Sequence, residues 1–225
     1  MPKLTDARWA YTTHYIDTLS QPQGGWLQGL ESAMRDHGLP DISVGASVGM
    51  LLEILVSSTN AQCALEIGTL GGYSAAWILR ALKPEGILHT IEREPTYAAF
   101  SKEWLDTLGF QDKYTLHVED ALDTIPRLGQ TLGDGSIDFV FMDSDKHQYE
   151  RIVPLVRNLI RPGGLLVADN ALGTGDFWID QEGHTEREAL HRFNEQVFGL
   201  PDFQACLLPL RQGVLVARRI VPTTE

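Results

Sequence analysis

Glu66 is embedded near the end of a short apolar run of this chain, and Glu92, Asp120, Asp143, Asp145, Asp169 and Asn170 lie within three residues after the ends of others. The densest group is Asp143-Ser144-Asp145-Lys146, with Asp169-Asn170 after the next apolar run. Two carboxylates and an amide oxygen are hard donors, suited to magnesium, calcium or manganese, and three protein donors leave positions open for a substrate. Neither cysteines nor histidines cluster in a way that would favour zinc. A lysine beside such a centre is a candidate base if its pKa is depressed, or else an ion-pair partner of Asp143 or Asp145. The plainer reading is also open, since Asp-Asn is a good turn former and the other motif fits an exposed loop.

A second group surrounds Glu66-Ile67-Gly68-Thr69-Leu70-Gly71-Gly72-Tyr73-Ser74. An apolar run, a glycine turn and a helical pattern follow one another, so free backbone N–H groups are expected to face a ligand. The dinucleotide fingerprint G-x-G-x-x-G fails, because Leu70 stands two residues after Gly68. Glu66 would also repel a diphosphate. It suits a cationic or zwitterionic ligand, such as the amino-acid end of S-adenosylmethionine. Glu92 sits where an acid can accept both ribose hydroxyls, or where an acid simply favours a helix N-terminus.

These residues need a scaffold that brings strand ends together. Short apolar runs at Ala64–Ile67, Gly86–Ile91, Tyr114–Val118, Ile137–Met142 and Leu165–Ala168 alternate with helical patterns at Ser74–Leu82, Thr96–Leu108 and Tyr149–Ile160 and with a helical turn at Ala121–Leu128. The pattern predicts an α/β fold with a doubly wound, mostly parallel sheet, whose ligands lie beyond the carboxyl ends of its strands. A helix at Glu186–Val197 and strands at Phe203–Leu208 and Val214–Arg219 follow, with Arg211–Gly213 as the turn of an antiparallel edge hairpin. Residues 1–58 read as helices: one carrying Trp9, Tyr15, Ile16 and Leu19, one carrying Trp26, Leu27, Leu30 and Met34 and ended by Gly38 and Pro40, and one over Val48–Val56. They could pack, gate a site or pair two subunits. One domain, 1–225, is expected, with 1–58 as its cap.

The chain has 225 residues, 43% of them apolar, and a formal charge of −12 without a basic block. Nucleic acid and anionic membranes are therefore poor partners. No signal-peptide pattern and no bilayer-length apolar run is seen, so a cytoplasmic protein is expected. Cys63 and Cys206 read as buried thiols without a disulfide framework.

In this order the motifs resemble the metal-dependent class I O-methyltransferases of the caffeoyl-CoA type, with catechol O-methyltransferase a more distant relative. The likeness runs from near Tyr15 through G-A-S-V-G-M-L-L, E-I-G-T-L-G-G-Y-S, Glu92, E-D-A-L, M-D-S-D-K, A-D-N and F-N to the closing L-P-L-R-Q-G-V-L-V-A-R-R. It implies a Rossmann-like methyltransferase fold, S-adenosylmethionine as methyl donor, a divalent metal with Mg2+ foremost, a catechol-type acceptor and a homodimer. It implies that Glu66, Gly68, Thr69 and Ser74 hold the methionine portion, Glu92 the ribose, and Asp120 and Ala121 the adenine. Val44 would touch the cofactor from the cap, Asp145 would lie near its amino group, and Asp143 would border it. Asp143, Asp169 and Asn170 would bind the metal, with Lys146 as general base beside Asp143. Three departures fall around the acceptor. Ser47-Val48 replaces an Asp-Glu pair, Gly173 stands where a tryptophan is usual (Trp178 is a possible substitute), and Arg211-Gln212 replaces Gly-Asp. The Arg211 charge would suit an acidic acceptor, although an exposed hairpin arginine needs no function. An NAD-dependent oxidoreductase and a non-catalytic interaction protein on the same fold remain as alternatives.

Overall fold

The computed structural model describes residues 5–221, so the ends of the expected single domain, 1–4 and 222–225, lie outside the described residues. Thr5 accepts from the Arg8 amide and opens helix α1 (Asp6–Ser20). The expected second helix is divided. Trp26 and Leu27 close a 3-10 segment, Gln21–Leu27, while Leu30 and Met34 belong to the short α2 (Leu30–Asp36). Pro22, Gly24 and Gly25 are poor helix formers, which limits that stretch to the tighter turn. Helix α3 (Gly45–Ser58) carries Val48, Leu52 and Val56 on one fully buried stripe. Packing thus describes α3. Helix α1 buries only Ser20 and leaves Tyr11, Tyr15 and Leu19 exposed.

From there strands and helices alternate: β1 (Cys63–Ile67), α4 (Tyr73–Ala81), β2 (Ile87–Ile91), α5 (Pro95–Thr107), β3 (Tyr114–His117), α6 (Ala121–Leu132), β4 (Ile137–Met142), α7 (Tyr149–Arg157), β5 (Ile160–Ala168), α8 (Thr185–Phe198), β6 (Phe203–Leu208) and β7 (Val214–Arg219). The sheet order is β3-β2-β1-β4-β5-β7-β6, parallel through β5, with β7 antiparallel to both β5 and β6. Leu65, Ile67, Val140 and Met142 share one core with Ile125 of α6, Ile152 of α7 and Leu190 of α8. Ala64, Phe139 and Phe141 share the other with Trp77 of α4, Leu105 of α5 and the cap residues Met34, Val48 and Leu52. Both faces of the central strands are covered, which is why those strands read as continuous apolar runs.

Helix α7 stops at Arg157, and Ile160 enters β5 instead of extending the helix. Ile160 pairs with Ile137, the register then shifts, and Leu165 pairs with Phe139. Asp138 secures this irregular corner by accepting from the amides of Gln62 and Cys63, at 2.7 and 2.8 Å, and from Arg161 Nε at 2.5 Å. A bulge of this kind leaves little periodic signal in a sequence. Cys206 is exposed on β6 rather than buried, because side chains alternate along the strand and Cys206 shares the outward face with exposed Gln204. Cys63 is half-buried, and burial, reinforced by the Asp138 charge, pushes its thiol up to about 11. Among the described residues no helix is long and apolar enough to cross a membrane.

Candidate active site

The sheet order reverses at β1 and β4, and the carboxyl ends of these two strands meet. Gly68 leaves β1 with φ at 94°, and a Cβ there would overlap the Asp143 carbonyl at the end of β4. Only glycine permits both the turn and the approach. Glu66 sits just before it, fully buried, opposite Thr90 of β2. Its oxygens accept from Ser74 Oγ at 2.7 Å and Thr90 Oγ1 at 2.6 Å, and the Thr90 hydroxyl lies 2.5 Å from that of Thr69. Burial pushes Glu66 up to about 8, against the two hydroxyls that favour its anion.

The turn does not offer all the free amides that its glycines imply. Glu92, at the end of β2, takes the N–H groups of Thr69 and Leu70 on Oε2, at 3.2 and 2.9 Å, and that of Glu94 on Oε1 at 2.9 Å. A nearly buried carboxylate needs such donors, and the neighbouring turn supplies them. A diphosphate would find two of its expected partners occupied. Asp120 opens α6 by accepting from the Leu122 amide at 2.8 Å, with Ala121 buried beside it. Its second oxygen accepts from Gln148 Nε2 at 3.2 Å, so Gln148 joins the expected adenine end of the site. Asp145 caps the 3-10 turn Lys146–Gln148 through the His147 amide and lies 3.8 Å from Arg93 Nη1.

Asp143 and Asp169 end adjacent strands, and Asn170 follows in a left-handed conformation with φ at 57°. Asp169 is buried, and its Oδ1 has no hydrogen-bond partner. Burial, then the Asp143 charge, raises its carboxyl well above the usual carboxylate range. An unpartnered buried carboxylate oxygen facing a second carboxylate is costly unless positive charge reaches it. A divalent cation fits the chemistry of this donor set. Two carboxylates and an amide oxygen make up the set, and among the described residues no three His, Cys, Asp or Glu side chains cluster around a common point.

Lys146 Nζ donates to Asp143 Oδ1 at 2.9 Å and to the Tyr149 hydroxyl at 2.8 Å. Burial favours the neutral amine, but Tyr149 and Asp143 together outweigh it, and the net shift is upward. The protein groups around Lys146 therefore favour its ammonium, not the depressed pKa that a base requires. Tyr149 was not singled out from the sequence, because it reads there as one more apolar helix position. The M-D-S-D-K motif three residues before it is the signal that points to it.

The acceptor side differs from the expectation in its details. Gly173 has φ at 151°, and a Cβ would overlap the Phe177 carbonyl, so a tryptophan has no room there. Trp178 forms a short antiparallel bridge with Gly173, and its amide donates to Gln181 Oε1 at 2.6 Å. Arg211 turns inward and donates to the Val44 carbonyl, with the Ser43 carbonyl 3.5 Å away. It ties the β6–β7 turn to the segment leading into α3, where Val44 is buried.

In a doubly wound sheet of this order ligands bind at the switch point, beyond the carboxyl ends of β1 and β4, where these acids gather. The O-methyltransferase family model matches residues 18–220. A catechol O-methyltransferase from Niastella koreensis is 33% identical over 181 residues, covering 80% of this chain and 81% of that protein. The Streptomyces achromogenes O-methyltransferase involved in tomaymycin synthesis, crystallised with S-adenosylmethionine, is 30% identical with a TM-score of 0.82, covering 97% of this chain and all of that one (100%). A Bacillus cereus O-methyltransferase crystallised with S-adenosylhomocysteine is 25% identical with a TM-score of 0.83, covering 94% of this chain and 98% of that one. The chain belongs to the O-methyltransferase family.

Proposed function

We propose that this protein transfers a methyl group from S-adenosylmethionine to one hydroxyl of a catechol-type small molecule, with a divalent cation held by Asp143, Asp169 and Asn170. The observation that carries this reading is buried Asp169, its Oδ1 unpartnered, beside half-buried Asp143 with a lysine on its flank. The cofactors in the related crystal structures and the name of the Niastella relative support it.

S-adenosylmethionine supplies a methyl on a sulfonium centre, so the acceptor oxygen bonds to carbon as the carbon–sulfur bond breaks and a neutral thioether leaves. A divalent cation held by Asp143, Asp169 and Asn170, most simply magnesium, would supply positive charge that lowers the pKa of a neighbouring phenol and disfavours the nearby ammonium. In this reading Glu66, Gly68, Thr69 and Ser74 border the methionine portion and Asp145 its amino group. Glu92 uses three of its roughly four acceptor sites on backbone amides. One remains for a ribose hydroxyl, so the acid can bind cofactor without releasing the turn. Asp120 and Ala121 border the adenine, and Val44, tied by Arg211, closes the cap side. Lys146 is the group that accepts the phenol proton at Nζ. Most of the gain comes from holding donor and acceptor in line. The exposed Tyr11, Tyr15 and Leu19 of α1 are the face a homodimer would cover, which light scattering tests.

The test is a methyl-transfer assay over catechols and acyl thioesters, with EDTA and with magnesium restored. Transfer to a catechol that is lost with EDTA and recovered with magnesium is expected. Full activity under chelation would overturn the metal role, and no transfer to any vicinal diol would overturn the acceptor class.

A further inference from the structure

Tyr149 is the first residue of α7 and is fully buried, with its ring edge-on to Phe193 at 5.0 Å between centroids. Its hydroxyl lies 2.8 Å from Lys146 Nζ, 2.9 Å from the Met142 carbonyl and 3.4 Å from the Asp169 carbonyl. A phenol has one proton to give, and carbonyl oxygens only accept. The hydroxyl therefore donates to the backbone at the end of β4 and accepts from the lysine. The intervening 3-10 turn makes this possible, because residues three apart eclipse in that geometry.

Besides its bond to Cε the lysine nitrogen has three tetrahedral directions, all N–H in the ammonium, and two N–H and a lone pair in the neutral amine that can accept a proton. Asp143 Oδ1 takes one and Tyr149 takes a second, which fixes the third. Without the phenol, Nζ would pivot about its bond to Asp143. We propose that Tyr149 is a positioning residue for O-methyl transfer: it anchors Lys146 Nζ to the end of β4, so that the remaining direction meets one particular hydroxyl of a vicinal diol. Tyr149 thereby sets which hydroxyl is methylated. This inference rests on the catechol reading above.

The experiment compares wild type, Tyr149→Phe, Lys146→Met and the double variant on a 3,4-dihydroxyphenyl acceptor, with adenosylhomocysteine affinity measured by calorimetry. Tyr149→Phe keeps the ring packing and removes only the hydroxyl. We expect kcat to fall roughly 10- to 100-fold, the loss of one hydrogen bond to a charged group. Adenosylhomocysteine affinity should stay within about twofold, a change too small for a lost charged contact. The ratio of the two methylated regioisomers should shift toward parity. In the Lys146→Met background, Tyr149→Phe should cost nothing further, because the effect runs through the lysine. A wild-type kcat and isomer ratio, a loss that multiplies fully with that of Lys146→Met, or an equal loss of adenosylhomocysteine binding would each overturn the inference.

A second readout separates its failure from failure of the catechol reading. Lys146 is one of five lysines in the chain, so its ammonium can be followed after nitrogen-15 labelling of lysine. The anchored Nζ protons should exchange slowly in wild type and rapidly in Tyr149→Phe, whatever acceptor the enzyme uses. Fast exchange in wild type would overturn the anchor even if the variant failed to fold.

Discussion

Replacing Glu66 with glutamine keeps the shape of the side chain and removes its titration. Glu66 is fully buried, and its carboxyl stands at about 8 in the folded protein against 4.5 as the ordinary value. Between these two values the folded chain retains a proton that the unfolded chain releases. A group of this kind contributes most below the unfolded pKa, and that contribution is lost as pH rises toward the folded one. The slope is about 1.4 kcal/mol per pH unit for one proton, so wild type should lose about 3 kcal/mol relative to Glu66→Gln between pH 5 and 7. Taking the difference between the two proteins cancels the titrating groups that do not interact with Glu66 and leaves only its coupling to the Asp143 and Glu92 charges. Urea unfolding of both proteins from pH 5 to 9, without cofactor or divalent cation, measures it. The difference should grow steadily to about pH 8 and then level off. Parallel curves across the whole range would refute the reasoning, because they would mean that Glu66 is ionised in the folded state at pH 5.

Lys146→Met should lower kcat by about 10²- to 10⁴-fold, the usual contribution of a positioned base, while adenosylhomocysteine affinity measured by calorimetry stays near wild type. A loss of less than threefold would leave the lysine as an ion-pair partner only. Asp169→Asn removes a buried charge that faces Asp143, so the cation-free protein should gain about 1 kcal/mol in urea while losing the magnesium-induced rise in Tm. Gly49→Ala drives a methyl into the Trp77 indole between α3 and α4, and unfolding should register about 1–3 kcal/mol of destabilisation. Arg211→Ala releases the Val44 and Ser43 carbonyls, so protease cleavage within residues 38–46 should accelerate without change at the β4 and β5 ends.

The parallel sheet was legible because a strand covered on both faces has no alternation, and the central strands show none. The acids at the strand ends were legible for the same reason, since each apolar run stops where they begin. What escaped depends on contacts between residues far apart in the chain. Glu92 holding the Thr69 and Leu70 amides spans more than twenty positions, and no local pattern announces it. Ile160 reads as the end of a helix until Asp138 and the bulge after it draw it into β5. Trp26 and Met34 keep helical spacing across a break, because the same cap core holds both segments. Lys146 was recognisable from its motif, but the direction of its pKa depends on Tyr149, a residue whose polar end is invisible in an apolar helical stripe.

The central claim is that Asp143, Asp169 and Asn170 hold a dication beside the methyl donor. A crystal soaked with manganese and adenosylhomocysteine, with the anomalous signal used to place the metal, tests it directly. The account predicts a manganese peak shared by these three side chains, on the same side of the sheet as the adenosylhomocysteine sulfur. A fully occupied cofactor with no peak there, or with manganese bound elsewhere, would contradict it.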